Sequence, residues 1–244
     1  MRFLILVPLL LAASLARAEV LAPAAFNKVF ELAGIALLCE QAAPLLQRGL
    51  PDAQQAALAK AFAAETLWLD LAKQLAPQFS VKHLQQAQAL LESPLAQHFT
   101  AAERAVGENE AELASYRQQL SSRPARTERL ALVQRLDSAA QTTALAALLR
   151  YEVGKTQAWL ALKAQGGSID EATLGSKTTA QRDALRESSQ QGVQSFMLFA
   201  YRQTPSEQLA EYAALYEQEP VKGLLNASVQ ALPKVFAARR AALK

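Results

Sequence analysis

Two histidines, one cysteine and a few adjacent carboxylates and hydroxyls are what this sequence offers to nucleophilic or metal chemistry. A zinc site needs three or four His, Cys or carboxylate ligands at close spacing. No such group gathers around His83, His98 or Cys39. Asp137 and Ser138 would supply two members of a Ser-His-Asp set. A triad is defined by geometry rather than by neighbours in the chain, and nothing in the spacing brings a histidine to them. Glu108 and Glu112 stand at i, i+4, where like charges repel mildly, so they read as a solvated helix face. A glycosidase pair would need two carboxyls facing each other across a cleft. No H-E-x-x-H, G-x-S-x-G or Gly-rich phosphate loop occurs, and "QGGS" at Gln165–Ser168 is too short to cradle a phosphate. No catalytic, cofactor-binding or metal-binding residue is assigned, no cofactor is expected, and the chain reads as a non-enzyme.

The N-terminus bears on the compartment. Met1-Arg2 gives a short positive start, Phe3–Leu15 an apolar run, and Ala16-Arg17-Ala18 an A-x-A cleavage pattern before Glu19. That layout is a secretory signal peptide over residues 1–18. The run is shorter than the roughly 20 residues of a spanning helix. The expected location is periplasmic or secreted, with no transmembrane segment after cleavage. Cleavage also changes the charge: 25 basic residues less Arg2 and Arg17 leave 23 against 22 acidic ones, so +3 becomes +1. A nucleic-acid partner would call for a clustered basic face, and none is expected. One cysteine excludes an internal disulfide. Within "FELAGIALLCEQ", Cys39 reads as a buried small hydrophobe, with an intermolecular disulfide or reactive thiol as the alternative.

These residues must be held by helices. Ala, Leu and Gln dominate, β-branched residues are few, and no strand-like alternation persists. The expected fold is all-α: a helical bundle of about seven to nine helices in residues 19–244. A first helix begins near Pro23, and Pro44 should kink or end it. Pro51-Asp52 opens a long helix through Leu75, and Pro77 stops it. Ser80 is the N-cap of a short helix to about Glu92. Pro94 starts another that runs past Gly107 to Leu120, and "SSRPA" breaks it. Arg126–Gln165 reads as one long helix or two stacked ones. Gly166–Thr178 reads as the loosest part, and a long helix follows from Ala180 to about Arg202. Thr204, Pro205 and Glu207 read as N-cap, first helical position and capping box. The last helix starts at Pro220, with Arg239, Arg240 and Lys244 complementing its C-terminal dipole. Trp68, Trp159, Phe196, Phe199, Tyr201, Tyr212 and Tyr216 are read as core, with an apolar groove or cavity as the alternative.

Two stretches echo one another, near residues 80–106 and 204–232. Leu84, Ala87 and Leu91 align with Leu209, Tyr212 and Tyr216. After a proline break at Pro94 or Pro220, Leu95 and Phe99 align with Val221 and Leu225. Proline suits a helix's first turn and restricts the residue before it, so each stretch should be a helix-turn-helix hairpin, the two forming a pseudo-repeat. Neither histidine recurs, since the second stretch contains no histidine.

"VKHLQQAQALLESPLAQHF" and "YRQTPSEQLAEYAALYEQEPVKGLL" resemble the bacterial exported family called domain of unknown function 2059. Tyr201-Arg202, Glu207-Gln208-Leu209, Ser93-Pro94 and Ala96 follow its hairpin pattern. Glu219-Pro220 and the shifted Gly223 depart from it. "LVQRLDSAAQTT", Leu132–Thr143, is similar to the family's middle helix. The resemblance, at Ser80–Phe99, Leu132–Thr143 and Tyr201–Ser228, implies a helical exported protein and carries no chemistry. The leading expectation is a non-enzymatic periplasmic protein that binds a protein or envelope component. The alternatives are a carrier of an apolar small molecule or lipid in an inter-helix cavity, and then a hydrolase of unrecognised type. The oligomeric state stays open.

Overall fold

Proline and glycine punctuate the chain, but not always where their sequence positions suggest. The computed structural model describes residues 21–107 and 109–243. Residues 1–20, where the signal peptide is expected, Glu108 and Lys244 lie outside the described residues. The α-helices are α1 (Asn27–Leu32), α2 (Ile35–Gln47), α3 (Asp52–Ala61), α4 (Ala64–Leu75), α5 (Val81–Leu91), α6 (Pro94–Gly107), α7 (Glu110–Ser122), α8 (Thr127–Ala140), α9 (Thr142–Ala164), α10 (Glu171–Thr178), α11 (Ala180–Ala200), α12 (Ser206–Tyr216) and α13 (Glu219–Ala242). Short 3-10 turns at Pro23–Phe26 and Ala76–Gln78 complete the set, and no strand occurs among the described residues. The fold is all-α, with more helices than the expected seven to nine.

The extra helices come from breaks that proline does not cause. Pro44 lies inside α2, where it is exposed, so its missing N–H leaves no buried acceptor unpaired. The break falls instead at Gly34, whose φ of 73° glycine adopts freely, and the chain turns there by 89°. The helix expected from Asp52 to Leu75 divides at Phe62–Ala63. The one expected to run past Gly107 stops there, and α7 starts anew at Glu110. Gln141 separates α8 from α9 in a left-handed conformation, φ 56°. Thr204 and Glu207 form no capping box: Pro205 is the N-cap and no side chain caps the first turn. The Arg129 guanidinium closes that corner, donating to the Tyr201 carbonyl at 2.5 Å and to Ser206 Oγ at 3.4 Å.

Other boundaries follow local chemistry. Ser80 Oγ accepts from the His83 amide at 3.2 Å and caps α5. The Asp137 carboxylate reaches over from α8 to accept from both the amide and the hydroxyl of Thr143, each at 2.7 Å, satisfying the start of α9. Far from being loose, residues 171–178 form α10, capped by Asp170, whose oxygens take the Thr173 amide and hydroxyl at 2.9 and 2.7 Å.

The core is one contiguous apolar cluster from Leu21 to Phe236. The 24-residue α13 packs on α4, α5 and α9, and the 21-residue α11 lies along α8 and α9. α2 sits between α4 and α9. A satellite cluster of Val106, Leu113 and Phe199 lies where α7 covers the ends of α6 and α11. No single described helix is long and apolar enough to cross a membrane. Residues 23–32 and 35–47 meet the length and composition only together, across the 89° bend.

Candidate functional site

The echoed stretches meet each other. Each folds as helix, short break, helix, and α5 packs on α13 while α6 packs on α12. Phe99 of α6 is fully buried and stacks on Tyr212 of α12, with centroids 4.0 Å apart and planes 15° from parallel. Tyr201 meets Phe99 edge-on at 5.0 Å, and Tyr216 meets Tyr212 edge-on at 5.1 Å. Glu103 enters this aromatic nest from one turn beyond Phe99, and Tyr201 Oη donates to its Oε1 at 2.5 Å. The residue is only half-buried, but its carboxyl group turns inward. Burial raises that carboxyl above the ordinary glutamate range, and the phenols of Tyr201 and Tyr212 offset this in part. Burial and the Glu103 charge push Tyr201 well up; burial and the neighbouring Tyr216 and Glu103 do the same to Tyr212. Tyr216 is pushed up to about 12. The group keeps its phenols neutral.

A second polar centre joins α9, α10 and α13. Arg240, expected to complement the dipole at the C-terminus of the last helix, is 1% exposed. Its Nη2 donates to Glu171 Oε1 at 2.6 Å, its Nε to Glu171 Oε2 at 3.1 Å, and its Nη1 to Thr156 Oγ1 at 3.0 Å. Lys155 Nζ shares Glu171 Oε1 at 2.5 Å. Glu152 Oε2 lies 2.7 Å from Arg240 Nη1, yet accepts no aligned hydrogen bond. Burial raises the Glu152 carboxyl, with Arg240 pulling against it. Glu171 moves the other way: burial pushes it up, but hydrogen bonds from Arg240 and Lys155 outweigh this and hold it below its usual value. Two buried cations and two carboxylates thus balance. Arg239 is also drawn from the dipole role, donating to Asp70 and to the Thr66 carbonyl.

On the surface, a groove of about 540 Å³ runs between α7 and the end of α11. Glu112, Ser115, Tyr116, Gln119, Phe199 and Arg202 line it. Arg202 lies 3.9 Å from the Phe199 ring centroid and 3.5 Å from the Glu112 carboxylate, and Tyr116 meets Phe199 at 5.5 Å. By contrast, the apolar cavity between α2, α9 and α13, lined by Cys39, Leu149 and Phe236 among others, measures about 10 Å³. That is water-sized, and it accommodates no apolar small molecule or lipid.

The residues singled out by type alone are dispersed. His83 Nε2 sits 3.2 Å from the Pro220 carbonyl and packs edge-on to Phe79 at 4.9 Å. His98 is exposed. No group of three potential metal ligands occurs among the described residues. Both Asp137 oxygens serve Thr143, which gives that carboxylate a capping role. Cys39 is buried, and burial together with Glu40 pushes its thiol up to about 12, which suppresses the reactive thiolate. Glu103, Glu152, Lys155, Glu171 and Arg240 were not singled out from the sequence as site residues. Comparison with known proteins finds no matching family model, no matching curated protein and no matching solved structure.

Proposed function

We propose that the chain is an exported, non-enzymatic helical module that binds a protein or envelope component through the groove between α7 and α11. The observation that carries this reading is the pairing of Arg202 with Phe199 and Tyr116 in an open groove. Arginine and aromatic side chains are the anchors that dominate protein–protein binding energy. An acidic side chain beside an apolar one on the partner fits best: the apolar group lies against Tyr116, and the carboxylate replaces exposed Glu112 on Arg202.

The signal-peptide layout at residues 1–18 and the pattern resemblance to the exported family support the export component. Within this reading the two hairpins are copies of one unit. Their reciprocal packing, first helix of each on second helix of the other, fits an internal pseudo-two-fold.

The test is a photo-crosslinker at Ser115, used in periplasmic extract, with Arg202→Ala/Tyr116→Ala as the comparison. One protein crosslinked by the wild type and lost in a variant that melts normally supports the reading. Equal recovery by both proteins, or no specific adduct, refutes it.

A further inference from the structure

We infer that Arg240 and Lys155 form a carboxylate-binding site whose present occupant is the chain's own Glu171, and that a carboxylate-bearing ligand from outside takes the site by displacing α10. The site is built without α10. Arg240 is anchored from α9, where Thr156 Oγ1 accepts from Nη1 at 3.0 Å and Glu152 Oε2 lies 2.7 Å behind the same nitrogen. Thr156 is itself tied to the Glu152 carbonyl at 2.7 Å. Nη2 and Nε of Arg240 therefore point outward as a preset fork, the geometry that holds a carboxylate through two parallel hydrogen bonds. Lys155 Nζ completes the cradle at 2.5 Å from the shared oxygen.

Charge agrees. Without Glu171, Arg240 and Lys155 face Glu152 alone and the centre carries one positive charge. With Glu171 it is neutral. An empty cradle therefore attracts an anion.

Apart from Glu171, the plug is held by few contacts. α10 is eight residues long and buries two of them, Leu174 and Thr178. Tyr151 Oη meets Thr178 Oγ1 at 3.0 Å and lies 3.4 Å from the Gly175 carbonyl, and these contacts with Glu171 form the polar part of its seat. Gly166, at φ 75°, and Gly167 close the end of α9, their amides donating to the Lys163 and Leu162 carbonyls at 2.9 Å, and three residues, 168–170, link them to α10. The Glu171 side chain is 43% exposed while that of Arg240 is 2% exposed, so the carboxylate sits at the mouth and the guanidinium at the floor.

The experiment uses the full chain and three probes: acetate, N-acetylalanine for a terminal carboxylate, and N-acetylglutamate N′-methylamide for a side-chain carboxylate. Chloride at equal ionic strength is the control. In the wild type, hydrogen exchange of the α10 amides should rise by about tenfold at saturating probe, equivalent to ~1.4 kcal/mol, while α9 amides stay protected. The tighter of the two larger probes identifies the source of the carboxylate. In Glu171→Ala, acetate should raise the melting temperature saturably, and Lys155→Met in that background should abolish the rise. Unchanged α10 exchange in the wild type overturns the inference, as does equal stabilisation of Glu171→Ala by acetate and chloride.

Discussion

Replacing Arg240 by methionine is the sharpest test of the buried centre. Methionine retains much of the aliphatic stem, so the loss is mainly of charge and hydrogen bonds. Glu152 is 1% exposed and would be left without the guanidinium 2.7 Å away, while Glu171 would keep only Lys155. Stranding one member of a buried pair costs about 3–5 kcal/mol. For a chain of this size that is a fall of roughly 6–20 °C in melting temperature. Glu152→Gln should cost less than Arg240→Met, because Oε2 accepts no aligned hydrogen bond and Arg240 retains Glu171. In Arg240→Met/Glu152→Leu no charge is stranded at that position, so much of the loss should return, with a coupling of about 1–3 kcal/mol. The pH response has a definite sign. In Arg240→Met the folded-state Glu152 carboxyl rises further above its unfolded value of 4.5. The folded variant then holds its proton more tightly than the unfolded chain, so the penalty is full at neutral pH and fades as pH falls toward 4.5. Urea denaturation of wild type, Arg240→Met, Glu152→Gln, Glu152→Leu and Arg240→Met/Glu152→Leu at two pH values measures all of this. A cost for Arg240→Met below about 1 kcal/mol, or single effects that add within about 0.5 kcal/mol, refutes the reasoning.

Four further outcomes follow from the described geometry. Because burial raises the folded-state Glu103 carboxyl, wild type should gain stability over Glu103→Gln as pH falls toward 4.5, and that gain should be lost as pH rises through the folded value; melts across pH read it. Phe99→Ala removes a fully buried ring stacked on Tyr212 and should cost about 3–5 kcal/mol by denaturant titration. Gln141→Gly relieves a left-handed backbone and should stabilise the chain by about 0.5–1 kcal/mol in the same assay. Asp137→Ala should cost about 1–2 kcal/mol by opening the start of α9, seen as faster hydrogen exchange at Thr143.

What could be read from the sequence was local. Ser80 caps α5 because a serine hydroxyl and the amide it satisfies lie within one turn. The all-helical fold follows from residue propensities, which act residue by residue. The misread features depend on distant partners. Pro44 is harmless because its side of α2 faces solvent, and Thr204 does not cap because Arg129, far away in sequence, closes that corner. Arg240 looks like an exposed cation at a helix end until Glu152 and Glu171 are placed beside it. A signal did exist there: Glu152 and Lys155 stand one turn apart on one face of a helix rich in Ala and Leu, "TTALAALLRYEVGKTQAWLALKA". Charged residues embedded in such a run need partners, and Glu171 lies in the segment that read as loose. Glu103 offered no comparable signal, since Arg104 stands beside it in the sequence and only the fold brings the tyrosines to it.

The reach of α13 sets an order of events during synthesis. This helix lies against α4, α5, α9 and α12, and its Arg240 neutralises Glu152, which emerges from the ribosome 88 positions earlier. Until then Glu152 has no guanidinium, α5 lacks the neighbour that covers its inner face, and the core cluster lacks Leu224, Leu232 and Phe236. Contacts so distant in the chain close late, because loop entropy is lost before they form. A nascent chain ending short of α13 therefore lacks part of its core, and the last helix completes the bundle.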